Sequence, residues 1–209
     1  EWPAPQVFHS SGMRSVGYKH EMILPLRIRL RDEGKDSPLK AVVDIGICKD
    51  VCLPHRVRVQ TILSPQMRKP DPVIAAALAN LPFGPEDGGV RAVTCRITPA
   101  ATGLGLRVEI AMPKGTGQEE TVIESRDPDI WIGEPRTSWQ GNTLVAEAIV
   151  SHMSAQSFAL DRSGLRITVL GGHLPLDIQG CSGAGDDLPL TPVGIPPRRL
   201  GVRVSTGVA

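Results

Sequence analysis

Apolar and polar residues alternate with a period of two along several short stretches of the chain. In residues 24–31 every second residue is apolar, and residues 56–60 alternate in the same way. Between them, a series of apolar residues at odd positions runs from Leu39 to Ile47, with Cys48 on the opposite face. Such alternation is typical of β-strands that bury one face. We therefore predict three strands in this part of the chain.

The rest of the chain follows the same pattern. Short apolar stretches recur at spacings of about ten residues and are separated by turn sequences rich in Gly, Asn or Ser. The predicted strands are residues 92–97, 104–112, 120–124, 129–132, 143–150, 165–170 and 174–178, with an edge strand at 200–204. This spacing predicts a β-sandwich. The 22 Gly and 19 Pro residues interrupt helices and form turns, which favours an all-β fold class.

A proline-rich stretch divides the chain into two halves. Within it, Asp71 followed by Pro72 is typical of a helix start, so we predict a short helix of about two turns that ends near Asn80. We predict a first domain over residues 1–64, a connector over 65–90, a second domain over 91–180 and an irregular tail over 181–209.

Composition and charge exclude several classes of protein. The chain has 23 Lys and Arg against 22 Asp and Glu, and this net charge of +1 gives no basic excess for binding nucleic acid. No apolar run approaches the roughly 18–20 residues that cross a bilayer, so we expect no membrane span in this chain. Its first residues lack the pattern of a signal peptide. Glu119 and Glu120 are interpreted as solvated loop charges, and Trp131 and Trp139 as packing residues.

The most informative residues are Cys48 and Cys52. Four cysteines in total are too few for a disulfide scaffold, and their spacing differs from that of a zinc site with two close pairs. Two cysteines four residues apart could share a helix face, but the alternation on both sides favours a tight hairpin. Facing residues of a non-hydrogen-bonded antiparallel pair have Cα atoms about 4.5 Å apart, and a disulfide needs Cα atoms roughly 4.4–6.8 Å apart. A hairpin can therefore hold the pair bonded or reduced with little backbone motion, as a reversible redox couple requires.

Two other interpretations of this pair stay open. One is a static disulfide that staples a hairpin in a purely structural β-sandwich. The other is a metal site formed with His55, for which copper(I) is the best match because thiolates suit this soft ion. In the redox interpretation, Lys49 and His55 would lower the pKa of a neighbouring thiol, and Asp50 would raise it.

Several motifs in the first half carry a resemblance to a known family. They are Trp2-Pro-Ala-Pro5, Phe8, Gly17-Tyr18, Glu21-Met-Ile-Leu-Pro25, Val43-Asp44 and Cys48-Lys-Asp-Val-Cys52-Leu-Pro54. In this order they resemble the N-terminal periplasmic region of the DsbD family. Members of this family are bacterial thiol:disulfide interchange proteins. The spacing of the cysteines is similar to that of the ScsB (suppressor of copper sensitivity B) branch. Residues 123–124 and 130–135 resemble the immunoglobulin-like domain that follows in this family.

The resemblance implies two immunoglobulin-like β-sandwich domains and a function in protein-disulfide reduction. Reducing equivalents would pass from a membrane electron-transfer domain of the same full-length protein to a periplasmic thioredoxin-fold protein or disulfide isomerase. The module would be periplasmic, tethered to the membrane in the full-length protein, and would need no dissociable cofactor or metal. Cys52 would be the nucleophile and Cys48 the resolving thiol. Phe8 would cap the pair, with Tyr18 in the same group of shielding or pKa-tuning residues.

Two further expectations concern the ends of the domains. Family members have strands before the Trp-Pro-Ala-Pro motif, so either the first domain is incomplete at its N-terminus or other segments supply those strands. Cys95 lies in a predicted strand and Cys181 at the start of the tail. In an oxidising compartment they would either pair as a structural disulfide or remain as two free thiols.

Overall fold

The computed structural model describes residues 2–10, 13–30, 34–48, 51–65 and 70–183 of the 209-residue chain. The described residues form two compact units, of which the first ends at Leu81 and the second begins at Pro82. No helix in this part of the chain is long and apolar enough to cross a membrane.

The first unit contains two antiparallel hairpins and one helix. Strands β1 (Gln6–Ser10) and β2 (Met13–Gly17) form the first hairpin, and β3 (Ser37–Cys48) and β4 (Cys52–Leu63) form the second. Helix α1 (Pro72–Ala79) follows, as predicted. The carboxylate of its N-cap residue, Asp71, accepts hydrogen bonds from the first backbone amides of the helix, at 2.8 and 3.3 Å.

The predicted strand at residues 24–31 is wrong for the residues that the structure describes. Residues 21–30 form no strand, and the alternating apolar residues Leu26 and Ile28 are 43% and 38% exposed. An alternating sequence becomes a strand only where a neighbouring strand satisfies its backbone hydrogen bonds. No described strand pairs with this segment.

The second unit is a β-sandwich, which confirms the predicted all-β, immunoglobulin-like class. Its strands are β5 (Ala92–Ala100), β6 (Gly103–Ala111), β7 (Glu120–Ser125), β8 (Ile130–Ile132), β9 (Arg136–Gln140), β10 (Thr143–His152), β11 (Leu165–Leu170), β12 (Leu176–Gln179) and β13 (Ser182–Gly183). One sheet has the order β13-β5-β6-β10, with β8 and β9 both paired to β10. The other has the order β12-β11-β7.

Aliphatic side chains from both sheets form one core. The largest of them include Leu106, Ile110, Leu144, Ile167 and Ile178, each at most 1% exposed. They occupy alternate positions of their strands, so the sequence pattern predicts which face is buried. Strand β9 has no such apolar series, which explains why the pattern does not reveal it. The predicted edge strand at 200–204 lies outside the described residues.

The interpretation of Glu119 as a solvated loop charge is wrong, because its residue is only 6% exposed. Its carboxylate accepts hydrogen bonds from the backbone amides of Thr116 and Gly117 and from the indole of Trp139, the last at 2.6 Å. Burial alone would raise the pKa of Glu119. These hydrogen bonds to the ionised form outweigh burial and hold the pKa below its ordinary value. The carboxylate therefore connects the turn before β7 to strand β9 through these hydrogen bonds.

We expect Glu119→Gln to destabilise the second unit by about 1–3 kcal/mol at neutral pH, because a buried charged hydrogen-bond acceptor is lost. Since the folded-state pKa is lowered, this contribution is present above the unfolded-state value of about 4.3 and is lost as pH falls through the lower folded-state value. Urea unfolding at pH 7 and at pH 3 measures both effects. Glu124→Gln, at an exposed position of β7, is the matched control. An equal loss at both pH values would contradict a role for the ionised carboxylate.

Candidate functional site: the disulfide at the hairpin tip

The β3–β4 hairpin brings Cys48 and Cys52 together. Its twelve residue pairs run without a slip from Ser37 opposite Leu63 to Cys48 opposite Cys52. The Cα atoms of the two cysteines are 4.0 Å apart, and their sulfurs are bonded. Both cysteines are exposed. The hairpin thus ends in a disulfide that is exposed at its tip.

The two faces of the hairpin differ in polarity. The face that carries the cysteines holds the charged side chains of the hairpin, and Arg56 forms a bidentate ion pair there with Asp44, at 2.5 and 2.9 Å. The hydrogen bond to Asp44 and its negative charge raise the pKa of Arg56 above its ordinary value, so this cation stays charged. The opposite face carries alternating aliphatic residues. At the tip, Ile47, Val51 and Leu53 are 55%, 70% and 63% exposed.

His55 lies in β4 opposite Ile45, three residues after Cys52. Because side chains alternate along a strand, this position belongs to the aliphatic face and not to the cysteine face. The hairpin therefore does not bring His55 beside the two sulfurs. Among the described residues, no group of three or more His, Cys, Asp or Glu side chains is arranged to hold a metal ion. Lys49 and Asp50 lie outside the described residues.

Comparison with known families identifies the part of the chain that carries this hairpin. Residues 1–64 match the family model described as "Thiol:disulfide interchange protein DsbD, N-terminal". The matched residues include the whole β3–β4 hairpin and both of its cysteines. This confirms the resemblance carried by the motifs between Trp2 and Pro54, and the hairpin disulfide lies within the matched residues.

A solved structure extends the likeness beyond the DsbD N-terminal domain. The N-terminal periplasmic domain of ScsB from Proteus mirabilis matches with a TM-score of 0.62 and 18% sequence identity. The match covers 87% of this chain and 71% of that chain. At this identity the likeness concerns the fold. No curated protein matches the chain.

Aromatic residues of the motifs pack together in the first unit. The ring of Tyr18 stacks on Trp2 with centroids 6.3 Å apart, and its hydroxyl donates a hydrogen bond to the carbonyl oxygen of Pro3 at 2.7 Å. Phe8 is half-buried in strand β1, and the ammonium group of Lys19 lies 5.0 Å from the centroid of its ring. These contacts give Tyr18 a structural role at the start of the chain. The cap function of Phe8 stays a prediction.

A second disulfide joins Cys95 of β5 to Cys181, just before β13. The Cα atoms are 5.7 Å apart, and Cys95 is completely buried in the core of the sandwich. The bond therefore ties the end of the described chain to the large sheet. The two disulfides differ in environment, since one is exposed at a hairpin tip and the other is anchored in a core.

Proposed function

We propose that Cys48 and Cys52 form a redox pair that exchanges a dithiol for a disulfide with a thioredoxin-fold protein in the periplasm. The observation that carries this proposal is the exposed disulfide between directly facing residues at the tip of the β3–β4 hairpin. A bond in this position can open and close without a change of strand register. The match of residues 1–64 to the model of a thiol:disulfide interchange family supports the same chemistry.

Chain entropy supports a chemical role for this bond over a structural one. The two cysteines are four residues apart in sequence, and closing so short a loop stabilises a fold by about 2 kcal/mol in the chain-entropy account. The facing residues are already held together by the β3–β4 hydrogen bonds, so the bond adds little to the local fold. Cys95 and Cys181 are separated by 86 residues, for which the same account gives about 4–5 kcal/mol.

The reaction follows the general course of thiol–disulfide exchange. The Cys52 thiolate attacks one sulfur of the partner's disulfide, and the other partner sulfur leaves as a thiolate. Cys48 then attacks the mixed disulfide, which closes the Cys48–Cys52 bond and releases the second partner thiol. The partner gains two electrons, and the pair is oxidised by two electrons. A membrane electron-transfer domain of the full-length protein would reduce the pair again.

The exposed aliphatic residues at the tip provide a surface for the partner. Ile47 and Leu53 face each other in the pair next to the cysteines, on the aliphatic face of the hairpin. A thioredoxin-fold partner that reaches the disulfide would cover them. Because an exchange module must release its product, the interface should be small and transient.

We expect the double variant Ile47→Ser with Leu53→Ser to slow exchange with an oxidised disulfide isomerase about tenfold, because about 1–2 kcal/mol of apolar contact is lost. Reduction by dithiothreitol should keep its rate, since this small thiol needs no docking surface. Stopped-flow kinetics with both reactants makes the comparison. Val59→Ser, on the same face but far from the tip, is the matched control. An equal slowing with both reactants would argue against a docking role.

The reduction potential of the Cys48–Cys52 pair tests the proposed function. The intact chain is equilibrated in glutathione and dithiothreitol buffers, its thiols are trapped by alkylation, and peptide mass spectrometry quantifies each cysteine separately. A potential between about −270 and −120 mV, the range of known exchange proteins, is expected. A value below about −300 mV would identify a structural bond and overturn the proposal. The buried Cys95–Cys181 pair is the internal reference for a structural bond.

A further inference from the structure

The large sheet of the second unit carries an open groove on the face directed away from the core. The groove has a volume of about 620 Å³. Gly105 and Gly133, which have no side chain, line it together with Ile149. This groove belongs to the β-sandwich and is not part of the disulfide site in the first unit.

A row of four charged residues borders the groove across four strands. The strand registers place Arg96 opposite Arg107, Arg107 opposite Glu147, and Glu147 opposite Arg136. The inner two neutralise each other, because the Arg107 guanidinium donates to the Glu147 carboxylate at 2.6 Å. Arg107 also forms an ion pair with Glu109 at 2.7 Å. Within the described residues, the side chains of Arg96 and Arg136 at the two ends form no hydrogen bond or ion pair.

An aromatic surface lies beside this row. Trp131 is 52% exposed and Ile149 is 43% exposed. The indole lies over Gly133, since a Cβ atom at that glycine would be 3.2 Å from two atoms of the ring. Tryptophan and arginine are the residues that most often dominate protein-binding surfaces, where they combine apolar area with directed hydrogen bonds.

We infer that this groove binds an acidic, extended segment of a protein partner. Arg96 and Arg136 are separated by three interstrand spacings, or about 14 Å. An extended chain with a rise of about 3.3 Å per residue covers this distance in four residues. Two carboxylates at positions i and i+4 would therefore reach the two arginines. Because side chains alternate, the residue beside the carboxylate at Arg136 would point towards Trp131 and Ile149, which lie on neighbouring strands. The residue beside the other carboxylate would point towards Gly105.

The charges of the groove favour a polypeptide over a polyanion such as a nucleic acid. Glu134 and Glu147 line the groove together with the arginines. A polymer with one negative charge on every unit would also place charges beside the neutral Arg107–Glu147 pair, where no free cation compensates them. A peptide with widely spaced acidic residues places its carboxylates only at the two ends of the row. The alternation of acidic and apolar side chains in the peptide matches the two sides of the groove.

Fluorescence anisotropy of a labelled peptide with the sequence Glu-Leu-Ser-Leu-Glu, titrated with the intact chain, tests this inference. We expect it to bind at least about fivefold more tightly at low salt than the same peptide with Gln in place of Glu. Arg96→Ala and Arg136→Ala should each weaken binding about two- to fivefold. Trp131→Ala should weaken it about tenfold. Arg91→Ala, an exposed arginine outside the groove, is the matched control.

A charge exchange keeps the inference testable if a single variant changes the fold. The double variant Arg96→Glu with Arg136→Glu should prefer a peptide in which Lys replaces Glu. Equal binding of the acidic and the Gln peptide would overturn the inference, as would a charge exchange that leaves the preference unchanged. Binding of a neutral chito-oligosaccharide in the absence of peptide binding would also overturn it, because the groove would then be a carbohydrate site.

Discussion

Replacing Cys52 with serine will reduce thiol–disulfide exchange with a thioredoxin-fold partner to the background rate. In the proposed mechanism the Cys52 thiolate forms the first bond to the partner, and a serine hydroxyl at neutral pH cannot replace it. Cys48→Ser removes only the resolving thiol. This variant should still attack the partner and should accumulate the mixed disulfide through Cys52. The two variants therefore have opposite outcomes although the two sulfurs are bonded to each other.

Non-reducing electrophoresis and mass spectrometry of the reduced variants, mixed with an oxidised disulfide isomerase, distinguish these outcomes. A mixed disulfide that forms with Cys52→Ser and not with Cys48→Ser would reverse the assignment of nucleophile and resolving thiol. A mixed disulfide through Cys95 or Cys181 would move the redox site away from the hairpin. Cys95 is buried, so we expect no such product from the folded chain.

The hairpin that joins the two cysteines could be predicted from sequence because strand alternation has a strict period. The apolar residues before Cys48 and the alternating series after Pro54 fix the two strands of the hairpin. The three residues between the cysteines then leave no room for anything but a turn. A redox function does not follow from that geometry alone, since the same hairpin could hold a static bond. The family resemblance of the motifs supplied this part of the interpretation.

The wrong and the missed strand predictions have a common cause. Alternation describes a single strand and says nothing about the strands beside it. Residues 24–30 alternate but have no described strand beside them, and so Leu26 and Ile28 remain exposed. Strand β9 has a mostly polar sequence, yet it pairs with β10 along five residues. A segment without an apolar pattern can thus form a strand where the edge of a sheet offers it backbone hydrogen-bond partners.

The polar clusters could not be predicted from the sequence, for the same reason. Glu119 is buried because Trp139, twenty residues later, donates a hydrogen bond to it. The row of four charged residues beside the groove comes from four different strands. Its two ends, Arg96 and Arg136, are forty residues apart in the chain. Such pairs depend on strand order and register, which a single sequence does not specify.

Removing the Cys95–Cys181 disulfide will destabilise the second unit far more than removing the Cys48–Cys52 bond will destabilise the first. The double variant Cys95→Ala with Cys181→Ala should lose about 4–5 kcal/mol, since the bond closes a loop of 86 residues in the unfolded chain. A domain of this size is stable by only about 5–15 kcal/mol, so this loss brings it close to unfolding. Urea unfolding, with hydrogen exchange in β5 and β11 as the local readout, measures the change. The matched variant Cys48→Ala with Cys52→Ala should lose no more than about 2 kcal/mol.

The comparison of these two double variants separates a structural bond from a chemical one within the same chain. If both cost the same free energy, the hairpin disulfide is a staple and the redox interpretation loses its energetic support. If removal of the Cys95–Cys181 bond costs less than about 1 kcal/mol, loop closure does not explain why this bond is present. The expected result assigns the stabilising role to the pair that is anchored in the core. It leaves the exposed pair free to be opened by a partner while β3 and β4 stay paired.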